Sequence, residues 1–458
     1  MKLLKISTAG VRGIVGRGMS AEVAMGFAQA FATYLEGGSI AVARDSRPSG
    51  VMMRCAVVAG LLACGSRVLD LGTVPSPTLQ IYLEKLRMDG AIIIAAGHNP
   101  QQWNALKFLR GDGMYLNTFQ GQDLLEIYNH AEFAKARWDE MAAVEFDHQA
   151  LDYHLRRIKE TFDVEAIRKR HFRVAVDCCN GTCTRITPRL LKELECEVVA
   201  LNDNIQRPFP HYPNPTPDNM SQLEALVRAA KADIGFAHDA EGERLGIVTE
   251  GGISLHQEKT LAIACLVALS TDRLPPEEGA TRTVVTNLST SSMIDVLAQE
   301  AGAIVYRTPI GQAHVTEKAR QLSAVVAGEG SGQVILRQLH PGPDGPAVIV
   351  CILEHLARCG GTISELVEQL PRFHMVKENI PLPPEVLYSR LQYFRVQAER
   401  EEDSFELDLT DGVKINTPDG WVHVRASTTE SLLRIIAEAN EKERAHELHQ
   451  WARQRVSV

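Results

Sequence analysis

Two stretches of this chain carry charged side chains in patterns that can do chemistry. Asp239-Ala240-Glu241-Gly242-Glu243-Arg244 sets three carboxylates two residues apart. On extended backbone such residues point to one side. Carboxylate oxygens gathered there are compatible with Mg²⁺, which takes octahedral oxygen ligands at about 2.1 Å. Without a cation the stretch reads as a charged surface loop in which Glu243 pairs with Arg244 or Arg12. The second stretch is Arg425-Ala426-Ser427-Thr428-Thr429-Glu430, with Arg434 beyond. An arginine fork and three hydroxyls suit an oxyanion. A helix starting at about Thr429 would add free backbone N–H groups. Ser/Thr followed by Glu430 also fits a capping signal, and capping can coexist with anion binding.

These residues must be held by a large scaffold. The 458 residues exceed one ordinary core, so roughly three or four domains are expected. Hydrophobic content of 45% and charged content of 23% are those of a globular protein. The net charge of −9 argues against nucleic acid or an anionic membrane as partner. No apolar run reaches the roughly 20 residues of a membrane span, and the N-terminus lacks a secretion signal. Nine cysteines without such a signal suit reduced thiols and a cytoplasmic location. Cys178, Cys179 and Cys183 cluster, but no matching pair completes a zinc site. Asn180-Gly181 makes the cluster a strand-to-helix turn.

One theme repeats three times. Strands Ile40–Ala43, Arg67–Leu71 and Ala91–Ile94 accompany a helix over Met52–Ala63. Strands Phe172–Val176, Glu197–Leu201 and Asp233–Ala237 accompany Pro188–Leu194. Strands Thr283–Thr286, Ala303–Arg307 and Ala324–Ala327 accompany Ser291–Glu300. Continuous Val/Ile/Ala runs predict sheets covered on both faces. Each repeat ends in a polar, glycine-containing loop: Gly97-His98-Asn99, the carboxylate loop, and Gly328-Glu329-Gly330-Ser331-Gly332. Open α/β sheets place ligands at such loops. After Pro381-Leu382-Pro383-Pro384 the pattern changes. A helix candidate at Val386–Glu399, turn signals at Asp411-Gly412 and Asp419-Gly420, and a strand at Trp421–Val424 predict an α+β domain. The expected fold is therefore α/β: three similar doubly wound domains with mixed sheets and a C-terminal α+β domain around one central cleft. The expected domains are 1–148, 149–254, 255–371 and 372–458.

Several motifs, in order and over nearly the whole chain, resemble the α-D-phosphohexomutases. These are Ser7-Thr8-Ala9-Gly10-Val11-Arg12-Gly13, Arg44-Asp45-Ser46-Arg47-Pro48-Ser49-Gly50, Ala95-Ala96-Gly97-His98-Asn99-Pro100, Pro213-Asn214-Pro215-Thr216-Pro217-Asp218-Asn219 and Arg307-Thr308-Pro309-Ile310-Gly311. The wording is most similar to phosphoglucosamine mutases and phosphoglucomutase/phosphomannomutases. The resemblance implies that Gly97 stands at the family's phosphoserine, with Arg12, His98 and Lys107 beside the reacting group. It implies a metal loop at Asp239, Glu241 and Glu243, and sugar contacts from Thr308, Gly311, Glu329, Ser331 and Gln333. It makes Arg425, Ser427, Thr428, Thr429 and Arg434 the clamp for the non-reacting phosphate.

The chain also departs from the family's pattern. Glycine replaces serine at 97, Ala95 replaces threonine, Glu241 and Glu243 replace aspartates, and Gln333 replaces histidine. The expectation is a protein that binds a hexose or hexosamine phosphate and is impaired in serine-borne phosphoryl transfer, as a sensor or as partner of an active mutase paralogue. A homodimer is compatible with the same reading. The alternative is an active phosphosugar mutase with another phosphoryl acceptor, such as His98, and hexose 1,6-bisphosphate as activator or ligand.

Overall fold

Uninterrupted aliphatic runs, buried on both faces, build the parallel centres of three sheets in this computed structural model. It describes residues 4–7, 10–270, 281–400, 405–427 and 431–457. The first sheet has seven strands in the order Leu4–Ser7, Gly10–Ile14, Trp103–Arg110, Gly90–Ile94, Ser39–Arg44, Arg67–Thr73, Val144–Phe146. The last four run parallel, and the first three are antiparallel to their neighbours. The second orders Leu245–Thr249, Ile234–His238, Arg173–Asp177, Glu197–Leu201, and the third Ile304–Thr308, Thr283–Asn287, Val326–Glu329, Gln333–Leu336. In both, three strands are parallel and one edge strand is antiparallel. Helices cover these sheets, and one apolar core runs through the second and third. The predicted α/β repeats are thus present with their strands in the expected places.

The fourth sheet is antiparallel: His374–Pro381, Leu432–Ala439, Gly420–Ala426, Val413–Thr417, Glu406–Asp408. Helices Pro384–Glu399 and Lys442–Ser457 pack on it. The hairpin signals and the helix after the proline run are where the sequence puts them. The helix expected from Thr429 is not. Residues 428–430 lie outside the described residues, and Leu432–Ala439 is a strand paired on both sides. Leu433, Ile435, Ala437 and Ala439 alternate into the core, a period of two that a strand satisfies and a helix does not. Among the described residues no helix N-terminus therefore serves the anion site there.

Strands Gly90–Ile94, Ile234–His238 and Val326–Glu329 hold equivalent places in their sheets. Their carboxyl ends deliver Gly97, the carboxylate loop and Glu329 to one cleft. A buried junction ties these sheets together: His154 Nε2 and His340 Nε2 lie 2.7 and 3.0 Å from Asp344 Oδ2, and His154 Nδ1 lies 2.8 Å from Thr78 Oγ1. Asp344 also caps the helix Gly345–Cys359 through the Ala347 N–H. The cysteine cluster is the expected turn, with Cys179 and Asn180 at positive φ and all three thiols buried. No helix among the described residues is long and apolar enough to cross a membrane.

Candidate functional site

A cleft of about 570 Å³ is walled by the three loops. The first sheet contributes Arg12, Ala95 to Asn99 and Lys107; the second Glu241, Glu243 and Arg244; the third Ile310 to His314, Glu329 and Gln333. His314, which belongs to none of the quoted motifs, lies in this wall.

The Gly97 loop is held from beneath by a fully buried arginine. Arg47 donates from Nη2 to the carbonyls of Gly97 and Asn99, from Nη1 to those of Pro100 and Trp103, and from Nε to Asp45. Gly97 sits at φ +55°, in the left-handed region, where an L side chain costs about 1–2 kcal/mol. A Cβ added there would stand 2.5 Å from Oε1 of Glu241.

The carboxylate loop is not a surface loop. Asp239, Glu241 and Glu243 are 1, 2 and 3% exposed, and Glu243 pairs with Lys107 rather than with Arg244 or Arg12. Lys107 Nζ lies 2.6 Å from Glu241 Oε1 and 3.3 Å from Glu243 Oε2. Ser76 Oγ donates to Glu241 Oε2 at 2.9 Å, and Tyr115 donates to Glu243 Oε1 at 2.5 Å. Burial works against the Lys107 charge, but the two glutamates overcome it and raise its pKa. Burial and the neighbouring Glu243 push the Glu241 carboxyl upward, with Lys107 opposing. Burial and the same carboxylates drive the Tyr115 phenol well up.

This donor set does not fit Mg²⁺ as it stands. Asp239 Oδ1 accepts the backbone N–H groups of Gly242, Glu243 and Arg244, so it braces the loop. Both oxygens of each glutamate are already engaged, and an ammonium lies between them. The described residues contain no cluster of three His, Cys, Asp or Glu side chains placed to hold a metal. The loop thus departs from the expected one-sided array, because the longer glutamates reach across to the first sheet.

On the third sheet, Glu329 Oε1 accepts from Asn287 Nδ2 at 2.7 Å and from the Gly311 N–H at 3.2 Å. That fixes Gly311 against Glu329. Ser331 Oγ bonds Gln333 Oε1, and Gln333 Nε2 bonds Glu243. Arg244 and Gln333 form an antiparallel bridge, so the second and third loops are joined through their backbones. Thr308 is buried, and its hydroxyl turns back onto the Pro309 carbonyl.

The arginines of the fourth sheet lie beyond this wall of the cleft but abut its rim, since Asp411 accepts the Ile310 N–H and pairs with Arg425.

 Arg425 and Arg434 are register partners on adjacent strands, two like charges face to face. Like charges opposite each other repel, and an anion received by both guanidinium groups would offset this. Arg425 is 3% exposed, and its Nη2 has no hydrogen-bond partner among the described residues. Burial lowers its pKa, with Asp411 opposing and Arg434 adding to the fall. Ser427 is buried beside them, its N–H on the Leu432 carbonyl. Thr428 and Thr429 lie outside the described residues.

His98 borders the Gly97 loop. Its burial, and then the positive charges of Arg244, Arg12, Lys107 and Arg434, hold its pKa well below the ordinary value, so the imidazole is neutral. Cations from the first, second and fourth sheets therefore act on one point. Sequence reasoning missed Arg47, Ser76 and Tyr115 as parts of the site. Arg47 stood inside a quoted motif, but Ser76 and Tyr115 carry no local signal, since their partners come from another sheet.

Four family models match in order: phosphoglucomutase/phosphomannomutase α/β/α domains I, II and III over residues 4–135, 152–252 and 257–373, and the C-terminal domain over 392–453. The chain belongs to this family, within the α-D-phosphohexomutase superfamily. A probable phosphoglucosamine mutase of Methanopyrus kandleri is 36% identical over 443 residues, 96% of this chain and 95% of that protein. A phosphoglucomutase/phosphomannomutase of Thermococcus kodakarensis is 33% identical, covering 96% and 95%. The crystal structure of a phosphoglucomutase/phosphomannomutase family protein from Burkholderia thailandensis superposes with a TM-score of 0.85 at 27% identity, covering 99% and 98%. The phosphohexomutase scaffold is thus present from end to end.

Proposed function

We propose that this protein binds a phosphorylated hexose or hexosamine in the cleft and does not run its family's serine-borne phosphoryl transfer. The observation that carries this reading is the pairing of Gly97 with Glu241. Position 97 offers no oxygen to hold a phosphoryl group, and the space its side chain would need is taken by a carboxylate. The remainder of the cleft keeps groups that suit a sugar phosphate. Arg425, Ser427 and Arg434, with Thr428 and Thr429 by family resemblance, receive the non-reacting phosphate. Glu329 accepts ring hydroxyls, and Gly311, Thr308, Ser331 and Gln333 shape the wall around them. Arg12, His98 and Lys107 face the other end of the sugar. Mg²⁺ has no part in this reading, because both oxygens of Glu241 and of Glu243 are committed to protein donors and Asp239 Oδ1 to the loop's own backbone. Binding without turnover suits a sensor or a partner of an active mutase.

A second reading is favoured by His98. A neutral imidazole among cations can accept a phosphoryl group, which would keep mutase activity with hexose 1,6-bisphosphate as donor. One experiment separates the two. The native chain and Gly97→Ser are titrated calorimetrically with glucose, mannose and glucosamine 1- and 6-phosphates, then assayed for interconversion with a hexose 1,6-bisphosphate supplied as donor. The first reading expects binding without turnover in the native chain. Interconversion by the native chain, with phosphate found on His98 by mass spectrometry, would replace it with the second. Absence of binding to every sugar phosphate would remove both.

A further inference from the structure

We infer that Asp411 is a positioning residue: one carboxylate holds both Arg425 and the loop Thr308–Gly311, so the phosphate seat and the sugar-facing wall stand at a fixed separation and the site prefers a hexose phosphate to phosphate alone. This rests on the reading of the cleft as a phosphosugar site.

A turn brings the carboxylate to the arginine. Asp411-Gly412 leads into the strand Val413–Thr417, which pairs with Gly420–Ala426, the strand that carries Arg425. Gly412 has φ +77°, and a Cβ there would stand 2.5 Å from the Val424 carbonyl oxygen and 2.7 Å from Arg425 Cβ. Glycine alone allows so close an approach of turn to strand, and it sets Asp411 beside the guanidinium. Asp411 Oδ2 lies 3.4 Å from Arg425 Nε. Arg425 Nη2, at the other edge of the fork, is buried and has no hydrogen-bond partner among the described residues. A guanidinium held at one edge presents the other to an oxyanion.

The same carboxylate reaches the third sheet. Its Oδ2 accepts the Ile310 N–H at 2.8 Å, and the next N–H, of Gly311, goes to Glu329 Oε1 at 3.2 Å. The loop thus hangs between the acid that holds the phosphate arginine and the acid that faces the sugar. The Asp411 main chain is tied as well. Its carbonyl accepts from His423 Nε2 at 2.5 Å, and His423 Nδ1 lies 2.9 Å from Ser289 Oγ. Ser289 follows the strand Thr283–Asn287, whose last residue donates from Nδ2 to Glu329 Oε1. Two paths therefore run from Asp411 to Glu329.

The signs of the two effects differ. Asp411 is a negative charge beside the phosphate seat, so its removal should favour phosphate by itself. A hexose phosphate must be held at both ends at once, and loss of the common tether removes that preorganisation. Calorimetry with glucose 6-phosphate, and displacement of that ligand by inorganic phosphate, read both affinities on the native chain, Asp411→Asn and Asp411→Ala.

The native chain should prefer glucose 6-phosphate. Asp411→Ala should lower that preference about tenfold or more, with phosphate held as tightly as before or tighter. Asp411→Asn keeps an oxygen for the Ile310 N–H and should fall between, and it carries the test should Asp411→Ala not fold. A general loss of structure would weaken both ligands together. A preference unchanged in the variants, or phosphate weakened as much as glucose 6-phosphate, would overturn the inference and leave the phosphosugar reading standing. So would phosphate that does not displace glucose 6-phosphate from the native chain, since no separate seat would then exist. Failure of glucose 6-phosphate to bind the native chain would overturn both.

Discussion

Lys107 Nζ lies 2.6 Å from Glu241 Oε1, and this ion pair fastens the first sheet to the loop of the second across the floor of the cleft. The same ammonium serves Glu243. Removing it leaves two buried carboxylates facing each other. Lys107→Met should therefore destabilise the protein by about 3–5 kcal/mol at neutral pH, read by urea denaturation.

The same trio gives a pH dependence with a definite sign. The Glu241 carboxyl has its pKa raised by burial and by Glu243. Between the unfolded value of about 4.3 and the raised folded value, the folded chain holds the extra proton. This group's contribution to stability is full below the unfolded value and is lost as pH rises through the folded one. Denaturation midpoints across that window should fall more steeply in the native chain than in Glu241→Gln.

Arg47 supports the cleft without entering it. Its hydrogen bonds to the Gly97, Asn99, Pro100 and Trp103 carbonyls, and its buried pair with Asp45, make the loop's shape depend on one side chain. Arg47→Met should cost about 3–5 kcal/mol by the same denaturation assay, because Asp45 is left buried and unpaired. Arg47→Lys should recover little, since an ammonium cannot reach carbonyls spread over that loop.

Asp344 joins His154 and His340 at the buried junction. Burial opposes its charge, but the two histidines outweigh burial and hold its pKa far below the ordinary carboxylate value. Its stabilisation is present above the unfolded value of about 3.9 and is lost as pH falls toward the folded one. Acid denaturation followed by circular dichroism should show a shallower acid limb in Asp344→Asn, together with lower stability at pH 7.

At the other end of the cleft, Arg425→Ala should weaken glucose 6-phosphate binding by about 1.5–3 kcal/mol, roughly 10- to 100-fold. Isothermal titration reads this directly. Arg425→Lys should remain weak, because the planar fork is lost.

Much of this architecture was legible in the sequence. The aliphatic runs and polar loops announce the α/β repeats, because a strand buried on both faces must be apolar throughout. The run Ser427 to Arg434 misled, because a Ser/Thr–Glu capping pattern is local, whereas Leu432–Ala439 is made a strand by partners on both sides. The carboxylate loop misled for a related reason. Spacing says which way side chains alternate, but not that Lys107, Ser76 and Tyr115, distant in the chain, stand across the cleft to receive them.

By itself the sequence determined the family, the three repeated α/β units and the absence of a side-chain hydroxyl at position 97, all of which are properties of residue type and order. The tertiary structure alone decided that Glu241 fills the space beside Gly97 and that Arg425 faces Arg434. Both facts join residues from different strands or sheets. Their contact is set by how those elements pack, a geometry that no local pattern of residues encodes.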